Sequence, residues 1–590
     1  MKLFKGSVGK HPATLVAVLM LTALVLAACG DSTATTAPVA TTTAAPTKPA
    51  STTTAAAATT AAATTTVAAT TTVAATTTAA ATAAPATTTA GANGTLVVGT
   101  VFSSKGFDPG QEYTMTAFTV MHSTYQTLVT YKGNDVTKTV NDLADSYSIA
   151  ADGKSITFKL KSGVKFSTGN PVTAEDVVFS YKRLQNLKGQ PAFVTANMTK
   201  FEATDASTVV ISLKDVAPDT LSLLTTPSFG VLDSKTAKSN GATDADDADK
   251  SDKALNYLNN QSIGSGPFVL KGFKPEAEID LEKNPAYAGT VAYDKIIIKN
   301  QSDVNIQKAS LEKGDIDFAL DLGPEQAAGL KGKAGVSVLQ STSLIIFFLL
   351  MNADPAISVP TSKPEVRQAI RYAINYKDYL DLGGGGSIQP PSVIPIGLAG
   401  ALGKEDQLPT DLTKAKDLMA KAGYKDGFTI KMSYPSDLTQ SGVKFETMAQ
   451  KMQADLALIG ITVELDPKTI QVWLDEYRAG KQTMTLSLWG PDYNDPSDYL
   501  TFFPGQKLAL RAGWKAGADP QIEDLAKKAA VELDEGKRLG YYQQAQKLLN
   551  QTGPFAPFLQ PSQVIGYRSN VSGFAFNPVW MVAFNETSKK

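Results

Sequence analysis

Between residues 32 and 92 the sequence is almost entirely threonine and alanine, with Lys48 its only charge and no aromatic side chain. Such a stretch lacks the apolar bulk that offsets the entropy of ordering a backbone, and interleaved threonine weakens any helix that alanine would favour. Folding is therefore confined to the residues C-terminal to it, and the tract reads as a tether. As a random coil its ends would lie roughly 40–50 Å apart. From residue 95 onward the composition becomes that of an ordinary globular protein, about 496 residues long. That exceeds the size at which a single core keeps growing, so two or more domains are expected.

Ahead of the tether, Lys2, Lys5 and Lys10 precede an apolar run of 16 residues, 13–28, that ends in small side chains. This is the pattern of an export signal, and the run is too short to span a bilayer comfortably. Leu26-Ala27-Ala28-Cys29 resembles the lipobox of bacterial lipoproteins, which implies cleavage before Cys29 and acylation of its thiol. Each buried acyl methylene adds about 0.8 kcal/mol, so a multiply acylated cysteine holds a protein on a membrane surface. The expected division is a signal peptide over 1–28, a tether over 29–94, and a lipid-anchored, extracytoplasmic body.

Cys29 is the single cysteine, which leaves no intramolecular disulfide, thiolate zinc cluster or iron–sulfur site. Lys and Arg together number 55 against 56 Asp and Glu, so no basic excess argues for nucleic acid as a partner. Of two histidines, His11 leaves with the leader and only His122 remains for acid–base work. It lies four residues after Phe118 and near Tyr125 in an amphipathic segment, where a structural imidazole is expected. No Gly-x-Ser-x-Gly elbow or His-Glu-x-x-His pair occurs, so serine hydrolases and zincins lack their local mechanics. A glycosidase needs only two carboxylates, which this many acids always permit. The acidic run 244–252 lacks the sixth-position glycine and closing glutamate of a calcium loop and reads as a solvated loop. The four glycines at 383–386 lack a following Lys-Ser or Lys-Thr, so they read as a mobile surface loop rather than a P-loop. No metal or cofactor is expected.

The body alternates strand and helix signals irregularly, which gives a mixed α/β class. Ile156, Phe158 and Leu160 alternate with polar residues as in a half-buried strand, and 208–213 is similar. Thr173 with Asp176 is a capping-box variant ahead of the stripe Val177, Tyr181 and Leu184, so a helix is expected to start there. Ser362 with Glu365 repeats that grammar before Val366, Ala369 and Ile370. Further helices are expected over 411–422, 444–459 and 535–551, the first two closed by Gly423 and Gly460. Strands are expected over 296–299, 344–350 and 461–465, with another ending at Leu488.

At 166–184 the sequence FSTGNPVTAEDVVFSYKRL resembles the signature region of the family 5 extracytoplasmic solute-binding proteins of ABC transporters, the dipeptide, oligopeptide and nickel group. Further blocks fall in that family's order: YQTLVTY at Tyr125, GSGPFVL at Gly264, KNPAY at Lys283, VRQAIRYAINYKDYL at Val366, GYKDGF at Gly423 and WGPDYNDP at Trp489. One departure is Thr168, where the family often has Asp or Asn. The resemblance implies a periplasmic-binding-protein-like type II fold, two lobes joined by two crossing strands, with an extra subdomain on the N-terminal lobe. By position, lobe I would comprise 95–131, 216–299 and 560–590, the extra subdomain 132–215, and lobe II 300–559. The crossings would fall near 296–299 and 558–564.

The same resemblance implies a binder that is not an enzyme, a monomer that closes on a peptide and delivers it to the membrane permease of an ABC importer. An unblocked peptide offers an ammonium and a backbone as its constant parts, and a carboxylate desolvated by closure can pair with the ammonium. In the peptide-binding members, the acid of the Trp-x-x-Asp-Tyr block takes that ammonium, which falls on Asp492 here; Tyr493 is its neighbour. Asp495, followed by Pro496, reads as turn chemistry. Trp489 and Trp473 are candidates to wall side-chain pockets, and Tyr113 and Met115 follow the Asp108-Pro109 turn that faces the cleft in relatives. Arg478, Arg511 and Arg568 are candidates for the ligand carboxylate by chemistry alone. The same fold binding an oligosaccharide, opine or other small solute, and a lipid-anchored hydrolase, stay open as alternatives; nickel held by several histidines does not suit a chain left with His122.

Overall fold

The computed structural model describes residues 94–590; the leader, Cys29 and the tether lie outside the described residues. The first strand, Thr95–Thr100, lies between two parallel partners, Lys295–Asn300 and Phe318–Leu322. Antiparallel strands Glu278–Lys283 and Phe268–Lys274 extend the sheet on one side, and Ser562–Arg568 and Val336–Thr342 on the other, giving seven strands. In Lys295–Asn300 the isoleucines 296 and 298 point into the core while their neighbours are half-exposed, the alternation that their spacing dictates.

A second, five-stranded sheet runs in the order Ile461–Lys468, Phe428–Pro435, Met484–Trp489, Ile346–Met351, Phe555–Leu559. Ile346–Met351, IFFLLM, is buried at every position, as a strand covered on both faces must be. The helices Pro364–Ala373 and Phe445–Ala457 pack their apolar stripes into one of the two cores it touches. A four-stranded antiparallel sheet, Ala144–Ile149, Ser155–Leu160, Thr208–Leu213 and Met198–Asp205, shares a core with helix Ala174–Asn186. That helix starts where its capping box says: Asp176 accepts from the Thr173 backbone N–H at 2.9 Å and from its hydroxyl at 2.7 Å.

The chain passes from the seven-stranded to the five-stranded sheet through 343–345 and returns through 560–561. These connections run side by side: Ser343 donates its backbone N–H to Pro561 O at 3.1 Å, and Gln560 Nε2 donates to Ser343 O at 2.7 Å. The first passage is therefore not near 296–299. Phe318–Leu322 and Val336–Thr342, which the expected division assigns to lobe II, hydrogen-bond within the seven-stranded sheet. Strand periodicity is local, whereas the partners that decide this lie more than 200 residues away.

Smaller readings change for similar reasons. The helix expected after Ser362 begins at Pro364, with Lys363 as its cap, because proline at the first position needs no N–H partner. The acidic run 244–252 is not wholly solvated, since Asp252 takes the buried Arg183 at 2.8 Å while Arg183 also grips Asp108. The four-glycine run closes helix Tyr376–Gly383 and then packs: at Gly384, with φ of 73°, a Cβ would meet Pro324 at 2.6 Å.

Candidate functional site

Strand Met484–Trp489 is followed by Gly490 and Pro491, and a 3-10 helix, Pro496–Phe502, begins seven residues after Trp489 under an Asp495 cap that accepts from Ser497 N at 2.9 Å. Asp495 is buried and forms a two-pronged pair with Arg538, one contact being Nη1 to Oδ2 at 3.0 Å. Its expected turn role holds, with an ion pair added. Asp498, on the same short helix, turns back on the loop: its Oδ2 accepts the backbone N–H of Asp492 at 2.9 Å and the Trp489 indole N–H at 3.4 Å.

The loop 491–494 faces a different part of the chain. The Tyr113 hydroxyl donates to the backbone carbonyl of Asp492, and the Tyr131 hydroxyl donates to Asn494 O at 3.4 Å. Asp219 accepts from the hydroxyls of Tyr493 at 3.1 Å and Ser497 at 2.8 Å. Between these elements lies a cavity of about 180 Å³ lined by Tyr113, Met115 and Phe118, by Thr225 and Thr226, by 491–494, and by Pro578 and Val579.

The electrostatics are lopsided. Desolvation raises the Asp492 carboxyl above its ordinary value and Lys507 draws it back, although the side chain keeps solvent-accessible surface. An acid on a cleft wall behaves so: water reaches it, yet protein replaces much of its hydration. Burial pushes Asp498 well above the carboxylate range, and the Asp492 charge adds to this. Asp219 is raised by burial and by Asp495. The cavity therefore presents one carboxylate, Asp492, with no cationic side chain in its lining, a setting that favours a positively charged guest.

Asp492, Tyr493, Tyr113 and Met115 thus come together around one cavity. Trp489 stands beside them, half-buried, with its indole held by Asp498. Trp473 does not join them. It is only 4 % exposed, its indole N–H donates to Thr485 Oγ1 at 2.8 Å, and it stacks on Tyr477 at 4.7 Å. It occupies the inward face of helix Ile470–Arg478, so its apolar area is spent on the core. Arg511 lies over the Tyr477 ring and Arg568 donates to Leu311 O, and neither lines the cavity. His122 stacks on Trp580 at 3.7 Å, with burial lowering its pKa to about 3. Sequence reasoning missed Asp498, Asp219, Thr225, Thr226 and Val579. Asp498 carried a local hint, as a third acid two residues past the block that begins at Trp489; the others carried none.

Comparison with known proteins gives a consistent picture. Residues 138–508 match the family described as bacterial extracellular solute-binding proteins, family 5 middle. The chain is 28 % identical over 501 residues to the probable D,D-dipeptide-binding periplasmic protein DdpA of Escherichia coli, spanning 83 % of this chain and 93 % of that protein. It is 27 % identical over 520 residues to heme-binding protein A of Haemophilus influenzae, spanning 84 % and 92 %. In fold it matches HbpA2 from Haemophilus parasuis with a TM-score of 0.75 at 23 % identity, over 84 % of this chain and all of that one.

Proposed function

The chain belongs to family 5 of the bacterial extracellular solute-binding proteins, and from that premise we propose that it captures short peptides by pairing their free ammonium with Asp492 and delivers them to an ABC importer. It is an extracytoplasmic binder rather than an enzyme. The observation that carries the peptide reading is the Asp492 carboxylate, accessible on the wall of a 180 Å³ cavity, with its loop fixed from behind by Asp498 and from across the cavity by Tyr113. A desolvated acid pairs strongly with an ammonium, and the Tyr, Thr and Pro walls hold backbone and side chain without demanding one sequence.

The connections 343–345 and 560–561 serve in this reading as the paired hinge, and Tyr113 to Asp492 and Asp219 to Tyr493 as contacts of the closed state. Ligand stabilises that state and the permease recognises it. Cys29 carries the lipid anchor, and the protein acts as a monomer at the end of its tether; a Cys29→Ser variant that still incorporates labelled palmitate would refute the anchor.

Calorimetry with dialanine and with its N-acetylated form tests the site. Free dialanine should bind, the acetylated form should not, and Asp492→Asn should weaken binding by about 3–5 kcal/mol, the typical loss when a desolvated ion pair is broken. Equal binding of both ligands, or unchanged affinity in Asp492→Asn, rejects the assignment and returns opines and sugars as candidates.

A further inference from the structure

A second cavity, of about 170 Å³, lies on the other side of Met115, which lines both. Its floor is made by Val98, Ile298 and Leu320, one from each of the three adjacent parallel strands of the seven-stranded sheet, near their carboxyl ends. Val101 and Met581 complete the apolar wall with Met115. Ligands of open α/β sheets bind outside the carboxyl ends of the strands, so this is the place on the sheet where the fold itself leaves a crevice.

The polar groups around the chamber already have partners. Thr116 Oγ1 donates to Val101 O at 3.2 Å and lies 3.2 Å from Ser103 Oγ, while Thr119 Oγ1 donates to Trp580 O at 2.9 Å. Asp321 Oδ2 accepts from Val101 N at 2.9 Å and from Gln307 Nε2 at 3.0 Å. A guest therefore meets apolar surface with one carboxylate at its edge. An apolar cavity of about 150 Å³ accommodates benzene, so a leucyl or phenylalanyl side chain fits this one.

We propose that this chamber is a side-chain subsite of the same binding site, taking one apolar side chain of the peptide and turning away acidic ones at Asp321. The inference rests on the peptide reading above. Met115, 43 % exposed and shared by the two cavities, is the partition that sets where the side chain turns off from the amine.

The test is calorimetry of the protein with Ala-Ala, Leu-Ala, Ala-Leu, Asp-Ala and Ala-Asp. One of the leucyl peptides should bind roughly tenfold or more tighter than Ala-Ala, the gain expected from filling an apolar pocket, and its aspartyl counterpart should bind more weakly than Ala-Ala. Val101→Phe, at a side chain 37 % exposed, should fill the chamber and cancel the leucyl advantage over Ala-Ala. Met115→Ala, which removes the partition, should shrink the leucyl advantage without a loss of folding by circular dichroism. If Ala-Ala binds and depends on Asp492, but leucine confers no advantage or Val101→Phe weakens all five peptides equally, the chamber is not a subsite and the peptide reading stands. If none of the five binds, the peptide reading falls and this inference with it.

Discussion

Asp498 Oδ2 accepts the backbone N–H of Asp492 at 2.9 Å, so one acid fixes the loop on which another is displayed. Burial, reinforced by the Asp492 charge, lifts Asp498 well above the carboxylate range. The two acids titrate as a pair in which burial disfavours charge most strongly on Asp498, so Asp498 serves as the support of the loop and Asp492 faces the cavity.

Asp498→Asn keeps an acceptor of the same shape, and peptide affinity should stay within about threefold. Asp498→Leu leaves the Asp492 N–H and the Trp489 indole N–H without their acceptor, a loss of about 1–3 kcal/mol. Titration calorimetry on the two variants separates these cases. Equal weakening by both would mean that Asp498 acts through its charge and not as the support of the loop.

Tyr113→Phe removes one hydroxyl that reaches Asp492 O from across the cavity. A net hydrogen bond of about 1 kcal/mol predicts roughly fivefold weaker peptide binding. Because that bond exists only when the loop and Tyr113 are in contact, small-angle scattering of the ligand-free variant should report a larger radius of gyration. An unchanged radius with unchanged affinity would remove Tyr113 from the closing contacts.

His122 has its pKa lowered to about 3 by burial against Trp580, below the ordinary 6.5. The unfolded chain therefore binds a proton that the folded chain refuses between those values. Stability from this group is complete above the ordinary value and falls as the pH drops towards 3. His122→Phe, which keeps a ring on the Trp580 face, should flatten the decline of the thermal midpoint between pH 6.5 and 4. Proton NMR should show no imidazole titration near neutrality in the folded protein, and a normal titration would contradict the burial.

Where a feature depends on neighbours in the chain, it was legible. The capping box at Thr173 and Asp176 started a helix, and Gly423 and Gly460, both with φ of 83°, followed the helices they were expected to close. The block at Trp489 pointed to Asp492, and the structure puts that residue on one cavity with Tyr113 and Met115. The misreadings share a cause. Trp473 and Trp489 were both candidates to wall a side-chain pocket, yet Trp473 packs against Tyr477 in the core, and Trp489 stands half-buried with its indole N–H on Asp498. The passage between sheets was put near 296–299 by position within the family resemblance, although Phe318–Leu322 still had a partner in Thr95–Thr100.

The sequence by itself determined that the body is α/β and which short segments become helix or strand, because capping, periodicity and composition act over a few residues. Only the tertiary structure decided that Asp219 reaches Tyr493 across 274 positions, that Asp498 supports Asp492, and that two cavities meet at Met115. Those outcomes depend on long loops being closed by the burial of two sheets at once, and no window of neighbouring residues contains that sum.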